Sequence, residues 1–323
     1  MSTEAIARDV AAVLCVPQVR VESHARGGNS RVYIVRVDGR RLAVKQYFRH
    51  STDERDRLNA ERSFLEFAAG AGIQRVPRVI AHDAQRCIGI YEYIAGKALT
   101  PSDITAARVR EAARFFLELN AAEHRGAAQA LPFASEACFS VVDHLQLVDG
   151  RVARLATIAD PQARGFISSL TRRWEDIRAA LASRAGALDA GFERCVSPSD
   201  FGFHNALLRD SGELCFLDFE YAGWDDPAKM VCDFFSHPGL PVPRRHLEEF
   251  TATTLGFSSH ARSLEARAQA LLPLFQLKWC CIMMNEFVPG AAERRRFANP
   301  QGDEAAAKRR QLDKAGRLLE SIG

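Results

Sequence analysis

Ser197-Pro-Ser-Asp-Phe-Gly-Phe-His-Asn-Ala-Leu-Leu208, followed by Cys215-Phe-Leu-Asp-Phe-Glu-Tyr-Ala-Gly-Trp224, decides how the chain is read. Asp200 and Asn205 are five positions apart, and Asp218 lies 18 beyond Asp200. Two short apolar runs, Ala206 to Leu208 and Leu214 to Leu217, flank the polar turn Arg209-Asp-Ser-Gly-Glu213. That pattern predicts a β-hairpin, with Asp200 and Asn205 in the loop before it and Asp218 at its end. A hairpin returns its ends to one place, so all three groups can meet. Two carboxylates and a carboxamide are hard oxygen ligands of the kind Mg2+ takes beside water and phosphate oxygens.

The order of these residues resembles the catalytic-loop Asp, the Asn and the metal Asp of the protein-kinase signature set. The run Asp218-Phe-Glu-Tyr, in place of Asp-Phe-Gly, is more similar to the aminoglycoside phosphotransferase and choline kinase superfamily. The resemblance extends from about Gly27 to about Asp233. It implies an α+β, protein-kinase-like two-lobe fold: a small N-terminal antiparallel sheet with a helix, then a larger, mainly helical lobe. The expected division is 1–94, an N-terminal nucleotide-binding lobe, and 95–323, a C-terminal catalytic and substrate-binding lobe.

The earlier part of the chain supplies the other members of the set. Val32-Tyr-Ile-Val-Arg-Val37 and Leu42-Ala-Val-Lys-Gln-Tyr-Phe48 flank an Asp38-Gly39 pair, a strong hairpin signal. Lys45 therefore sits in a strand, where a fixed ammonium can bridge α- and β-phosphate oxygens. Gly27, Gly28, Asn29 and Ser30 precede that hairpin, where a phosphate-covering turn would lie; glycines let backbone N–H groups approach a phosphate. A helix is expected from Ser51 to about Gly70. Glu54, Glu61 and Glu66 all lie in it, and Glu61 shares a face with Leu58 and Leu65, which should point inward. By resemblance Glu61 pairs with Lys45. Val76 to Ala81 and Cys87 to Ile94 complete about five strands. Glu92-Tyr-Ile-Ala-Gly96 is similar to a hinge, with backbone groups around Glu92 and Ile94 holding an adenine ring and Leu207 packing beneath it, or serving simply as core.

The remaining pattern is helical: Ala106–His124, Phe139–Leu147, Asp160–Leu181, Arg244–Thr254, Ala261–Glu286 and Ala291–Leu319, with a further helix opened by Asp226-Pro227. Asp at the N-cap with Pro at the first helical position is a start signal, which gives Asp226 a structural role first. Strands first and helices later argue for α+β rather than alternating βαβ.

The implied chemistry is phosphoryl transfer from ATP (or GTP) with Mg2+ to a hydroxyl. This reaction needs positioning, charge neutralisation and a group to receive the hydroxyl proton. Asp200 is the expected catalytic carboxylate, Asp218 and Asn205 the metal ligands, and Lys45 with Glu61 the phosphate clamp. Glu220 stands where Asp-Phe-Gly has Gly and is a candidate for a second metal. Helix signals resume at Asp226, eight positions after Asp218, which leaves no room for a peptide platform. The expected acceptor is therefore a small molecule: an amino sugar, sugar or amino alcohol. Trp279, Asn285 and Glu286 are either a cation-binding wall or the polar edge of a core helix. One departure stands out. Pro198-Ser-Asp200 replaces His-Gly-Asp or His-Arg-Asp, so the bracing His is missing, and His204 inside the loop is either a substitute or structural. That departure motivates the alternatives of a nucleotide-binding pseudokinase or scaffold and, further off, a protein kinase.

The composition fits a globular chain of 323 residues, 47% apolar and 26% charged. A net charge of +3 gives no case for nucleic acid, and the runs Glu293-Arg-Arg-Arg and Lys308-Arg-Arg read as solvated helix faces. The eight cysteines lack metal-ligand spacing, and Cys87, Cys215, Cys232 and Cys280 lie in apolar runs as small hydrophobes. No stretch reaches the ~18 apolar residues of a membrane span. A cytoplasmic protein without a membrane partner is expected; its oligomeric state is not legible.

Overall fold

The computed structural model describes residues 3–26, 30–48, 55–288 and 303–322. It has the expected α+β, two-lobe layout. The first lobe is built on a five-stranded antiparallel sheet: β1 (Arg20–Arg26), β2 (Ser30–Val37), β3 (Arg40–Tyr47), β4 (Val79–Asp83) and β5 (Ile88–Glu92). Their order across the sheet is β1-β2-β3-β5-β4. Period-2 alternation turns Tyr33, Val35, Val37, Leu42, Val44, Ile88 and Ile90 to one face, where Ile6 and Val10 of α1 (Thr3–Leu14) cover them. Lys45 and Tyr47 point to the other face, toward α2 (Arg57–Gly70).

Helix α2 begins later than the Ser51 expected from the sequence. Asp56 caps it by accepting the Asn59 N–H, at 3.1 Å. Residues 51–54 lie outside the described part of the chain, as does the 27–29 part of the expected phosphate-covering turn. Ser30, at the start of β2, is buried.

A chain of rings then joins the lobes. Phe64 of α2 stacks on Phe219 at 4.4 Å, and Phe219 meets Phe115 of α3 (Ala106–Leu119). Phe115 stacks on Phe216 at 4.5 Å, Phe216 touches Phe201, and Phe201 touches Phe234. These rings belong to one continuous core that runs from α2 into the helical lobe. Aromatic pairs contribute about 0.5–1.5 kcal/mol each beyond their buried area, so the two lobes are held in register by packing as well as by charge.

The hairpin forms as expected, from β8 (Ala206–Leu208) and β9 (Leu214–Phe216), closed by Arg209 N–H to Glu213 O at 2.9 Å. Short strand β6 (Lys97–Ala98) adds to β8, and β7 (Cys195–Ser197) pairs with β10 (Gly223–Asp225). The remaining helices are α4 (Arg125–Ala128), α5 (Val141–Leu155), α6 (Arg164–Ala182), α7 (Ala185–Asp189), α8 (Pro227–Ser236), α9 (Leu247–Leu255), α10 (Ala261–Met283) and α11 (Glu304–Glu320). Several ends differ from the sequence expectation. Helix α3 stops at Leu119, because Asn120 turns its amide to the Phe116 and Val196 carbonyls. Helix α5 starts at a Ser140–Asp143 capping box and runs through Gly150 to Leu155. Single 3-10 turns replace the first residues expected for α6 and α9 and the last of α10. Of the expected 291–319 helix, the described portion is α11, and the 293–296 basic run lies outside the described residues. Cys215, Cys232 and Cys280 are buried, whereas Cys87 is half-buried in the turn before β5 with φ of 53°. Among the described residues no helix is long and apolar enough to cross a membrane.

Asp226 has the structural role expected of it. Its Oδ1 accepts the Ala228 N–H at 2.8 Å, capping α8. Its Oδ2 lies 2.8 Å from His144 Nε2 and 2.7 Å from Arg267 Nε, and all three side chains are fully buried. Asp226→Ala leaves the Arg267 guanidinium and an α8 N–H without this acceptor and should destabilise the chain by about 3–5 kcal/mol. Asp226→Asn, which keeps the cap, should cost less. Urea unfolding of both variants tests this, and a loss under 1 kcal/mol for Asp226→Ala contradicts it.

Candidate active site

The residues separated most widely in the sequence meet around one ammonium. Lys45 Nζ donates to Glu61 Oε2 at 2.7 Å and to Asp218, and lies 2.9 Å from Glu220 Oε2. Strand β3 supplies the lysine and α2 supplies Glu61, which is 4% exposed. The choice of Glu61 over Glu66 follows its face, since Glu66 points outward to Arg62; Glu54 lies outside the described residues. Glu61 also accepts from Tyr47 OH at 2.6 Å and from the Phe219 N–H at 3.2 Å, so it ties Lys45 to the segment carrying Asp218.

Burial alone would lower the Lys45 pKa, but Asp218, Glu61 and Glu220 outweigh it and hold the ammonium well above its ordinary value. Burial pushes Asp218 up and Lys45 pulls it down, while Glu220 and Glu61 push it up again, leaving it raised to about 6. With 41% of the Asp218 side chain exposed, solvent moderates that rise. Glu220 is 4% exposed, and its second oxygen faces Arg57 Nε at 3.5 Å. Arg57 is buried, and neither it nor Tyr47 was singled out from the sequence.

Asp200 and Asn205 stand beside this cluster. Asn205 Nδ2 donates to the Asp200 carbonyl at 3.1 Å, and Asn205 O accepts the Leu217 N–H at 2.8 Å. The hairpin thus returns Asp218 to the Asn205 turn, and the Asn205 amide is held with its Nδ2 engaged and its Oδ1 left as an oxygen donor. Asp200 has φ of 41°, Ser199 48° and Asp218 68°, left-handed values that cost energy in residues bearing a Cβ and collect at working sites. Burial would raise the Asp200 carboxyl, but His204 and His237 bring it down to about 2. It is therefore a carboxylate at every ordinary pH.

The Asp218 and Glu220 carboxylates and the Asn205 carboxamide are hard oxygen donors, the chemistry that fits a Mg2+ ion. Carboxylate oxygens of Glu61, Asp218 and Glu220 lie within 4.8 Å of one another. Glu92 ends β5, and its N–H is already bonded to Arg78 O at 2.9 Å. Only its carbonyl and the groups that follow could serve a ring. Ile94 is buried just beyond the strand, and Leu207 is half-buried in β8 opposite Ala98, close to the hinge-like segment. Trp279 is half-buried, and its Nε1 donates to Asp233 Oδ1 at 3.1 Å. Through His237, Trp279 is one ring away from Asp200. Asn285 and Glu286 lie half-buried in the turn that follows α10. Sequence reasoning missed His237, Asp233 and Lys278, although Asp225, Lys229, Asp233 and His237 recur every four residues, a helical-face signal.

A model of the phosphotransferase enzyme family matches residues 20–237. No curated protein matches the chain. Among solved structures, choline kinase LicA from Streptococcus pneumoniae aligns with a TM-score of 0.61 at 16% identity, covering 98% of each chain. The gentamicin complex of APH(2")-IIa aligns at 0.62 and 16% identity, over 100% of this chain and 97% of that one. The Plasmodium vivax ethanolamine kinase aligns at 0.58 and 12% identity, over 99% of this chain and 86% of that one. At these identities the likeness is one of fold.

The charge cluster generates a pH prediction. Lys45→Met removes the ammonium that pulls Asp218 down and leaves Glu61 and Glu220 facing it, so the folded-state pKa of Asp218 rises further above the unfolded one. Raised carboxylates contribute stability at low pH that is lost as pH climbs through the folded values. The variant should match wild type near pH 5 and be weaker by about 3 kcal/mol near pH 8. Urea unfolding at both pH values decides it; a deficit independent of pH contradicts it.

Proposed function

Since the chain belongs to the phosphotransferase enzyme family, we propose that it transfers the γ-phosphate of ATP to a hydroxyl of a small molecule. The observation that carries this reading is the convergence of Lys45, Glu61 and Asp218 from three separate segments, with Asp200 and Asn205 on the loop beside them. In this reading Lys45, held by Glu61, neutralises phosphate oxygens. The Glu92 carbonyl and the Ile94 N–H take the adenine edge, and Leu207 packs against its face. Gly27, Gly28, Asn29 and Ser30 cover the phosphates. Asp218 and Asn205 would hold Mg2+, and Glu220, now paired with Lys45 and Arg57, stands next to them for a second ion. Mg2+ would supply neutralisation of the charge that builds on the transferring group.

Asp200 orients the acceptor hydroxyl and receives its proton. Its depressed pKa suits a loose transition state, in which the hydroxyl proton moves late and the carboxylate acts first by alignment. The acceptor side supports a small molecule: α8 opens at Pro227, capped by Asp226, so the eight-residue interval after Asp218 holds no platform for a peptide. The structural neighbours include a choline kinase, an ethanolamine kinase and a gentamicin-bound protein. Amino alcohols and amino sugars are therefore the first acceptors to try. A nucleotide-binding scaffold is the second reading, favoured by Pro198 where a bracing His is expected. The 1–94 and 95–323 division is retained as the proposed boundary between lobes.

The test pairs two variants. Mg·ATP should raise the melting temperature of wild type and of Asp200→Asn but not of Asp218→Asn. Phosphorylation across a panel of amino alcohols, sugars and amino sugars should fall about 10²- to 10⁴-fold in Asp200→Asn. Equal loss of nucleotide binding in both variants contradicts the assigned roles. Stabilisation by Mg·ATP with no acceptor phosphorylated favours the scaffold.

A further inference from the structure

Asp200 is flanked by two imidazoles. His204 Nε2 and His237 Nε2 each lie 3.5 Å from Asp200 Oδ1, and the two rings lie flat against each other, centroids 3.5 Å apart and planes 4° from parallel. We propose that this stacked pair, with His237 as the hydrogen-bond donor, is the brace that sets the Asp200 carboxylate for the acceptor, in place of the His missing at Pro198. The proposal rests on the phosphotransferase reading of Asp200.

Three observations support it. The first is the tautomer. Gly239 N–H donates to His237 Nδ1 at 3.0 Å, so the ring proton of neutral His237 belongs on Nε2, the atom that faces Asp200. Both imidazole contacts fall on Oδ1, which leaves Oδ2 for the acceptor hydroxyl. A separation of 3.5 Å is loose for a hydrogen bond, as is common before a substrate closes a site.

The second is the space made for the rings. A Cβ on Gly202 would sit 2.8 Å from His204 Nδ1, and a Cβ on Gly239 would sit 2.7 Å from His237 Cε1 and 3.2 Å from His204 Cβ. Glycine at both positions is what admits the pair. Among the described residues, neither ring nitrogen of His204 has a hydrogen-bond partner although both are buried. Local structure therefore gives no reason for a histidine there, whereas contact with Asp200 and His237 does.

The third is the support behind His237. It caps the C-terminal end of α8, on the side of the helix that carries Lys229 and Asp233, with Asp225 at the end of β10 just before the helix. Lys229 bridges Asp225 and Asp233, and Asp233 accepts from Lys278 Nζ at 3.0 Å and from Trp279 Nε1. The Trp279 ring meets His237 edge to face at 4.2 Å. A buried ionic ridge thus fixes Trp279, and Trp279 fixes His237. A shared metal ion is a poorer account of the same three side chains. Their ligand atoms lie within 4.8 Å of one another, but the Gly239 N–H occupies the lone pair at His237 Nδ1, so the Nε2 that faces Asp200 carries the ring proton and has no lone pair to offer a metal.

The test uses release of phosphate from Mg·ATP, with water as acceptor, in wild type, His237→Phe, His237→Asn, Gly239→Ala and Asp200→Asn. His237→Phe keeps the ring stack and removes the donor. It should lower kcat by about 10- to 100-fold while the KM for Mg·ATP and the Mg·ATP thermal shift stay at wild-type values. His237→Asn, which restores an N–H, should recover part of kcat. Gly239→Ala, which displaces His237 without altering it, should reproduce the loss. Wild-type kcat in His237→Phe, or a loss of kcat and nucleotide binding together, overturns the brace. So does inhibition by equimolar Zn2+ that His237→Phe relieves, because that outcome assigns the three side chains to a metal. Turnover that survives in Asp200→Asn overturns the functional reading itself; turnover lost there but kept in His237→Phe overturns the brace alone.

Discussion

A buried ammonium ringed by three carboxylates is the constraint on which the site depends. Lys45 would be costly to bury alone, and so would Glu61 or Glu220. Together they satisfy one another, but only if β3, α2 and the segment after β9 come to the same point. Such a cluster adds little net stability compared with apolar packing, yet removing one member is expensive. It therefore serves to fix which arrangement is adopted. The surplus of negative charge, three carboxylates against Lys45 and a more distant Arg57, is the part that fits a cation and a polyphosphate.

The apolar architecture makes that convergence possible. The phenylalanine chain from Phe64 through Phe219, Phe115 and Phe216 to Phe201 passes directly behind the catalytic segments. Phe219 is the neighbour of both Asp218 and Glu220, and Phe201 is the neighbour of Asp200. Asp200, Asp218 and Glu220 are thus each flanked by a ring anchored in the core. That anchoring is what can sustain left-handed backbone at Asp200 and Asp218.

Much of this was legible in the sequence, for identifiable reasons. The β2–β3 hairpin, the β8–β9 hairpin and the α8 start each carry a local signal: Asp38-Gly39, the Arg209–Glu213 turn and Asp226-Pro227. Glu61 was legible because helix periodicity gives it an inward facing, whereas Lys45 and Asp218 were legible through the order and spacing of motifs that resemble the kinase set. Helix ends were harder. The Asn120 amide that ends α3 acts on Val196, 76 residues away, and no local rule reports that. His237 was missed for the same reason. It reaches Asp200 only because α8 packs against α10 and the loop, so its role is a property of tertiary contact. The site roles and the lobe boundary are proposals that the fold makes physically coherent.

The most direct measurement is labelling of the protein with an acyl phosphate of ATP, which delivers its acyl group to an amine lying against the bound phosphates, followed by peptide mass mapping. The account predicts acylation of Lys45, suppressed by excess Mg·ATP and lost in Asp218→Asn. Labelling confined to other lysines, or Lys45 labelling indifferent to Mg·ATP, would contradict a triphosphate site between β3 and the Asp218 segment.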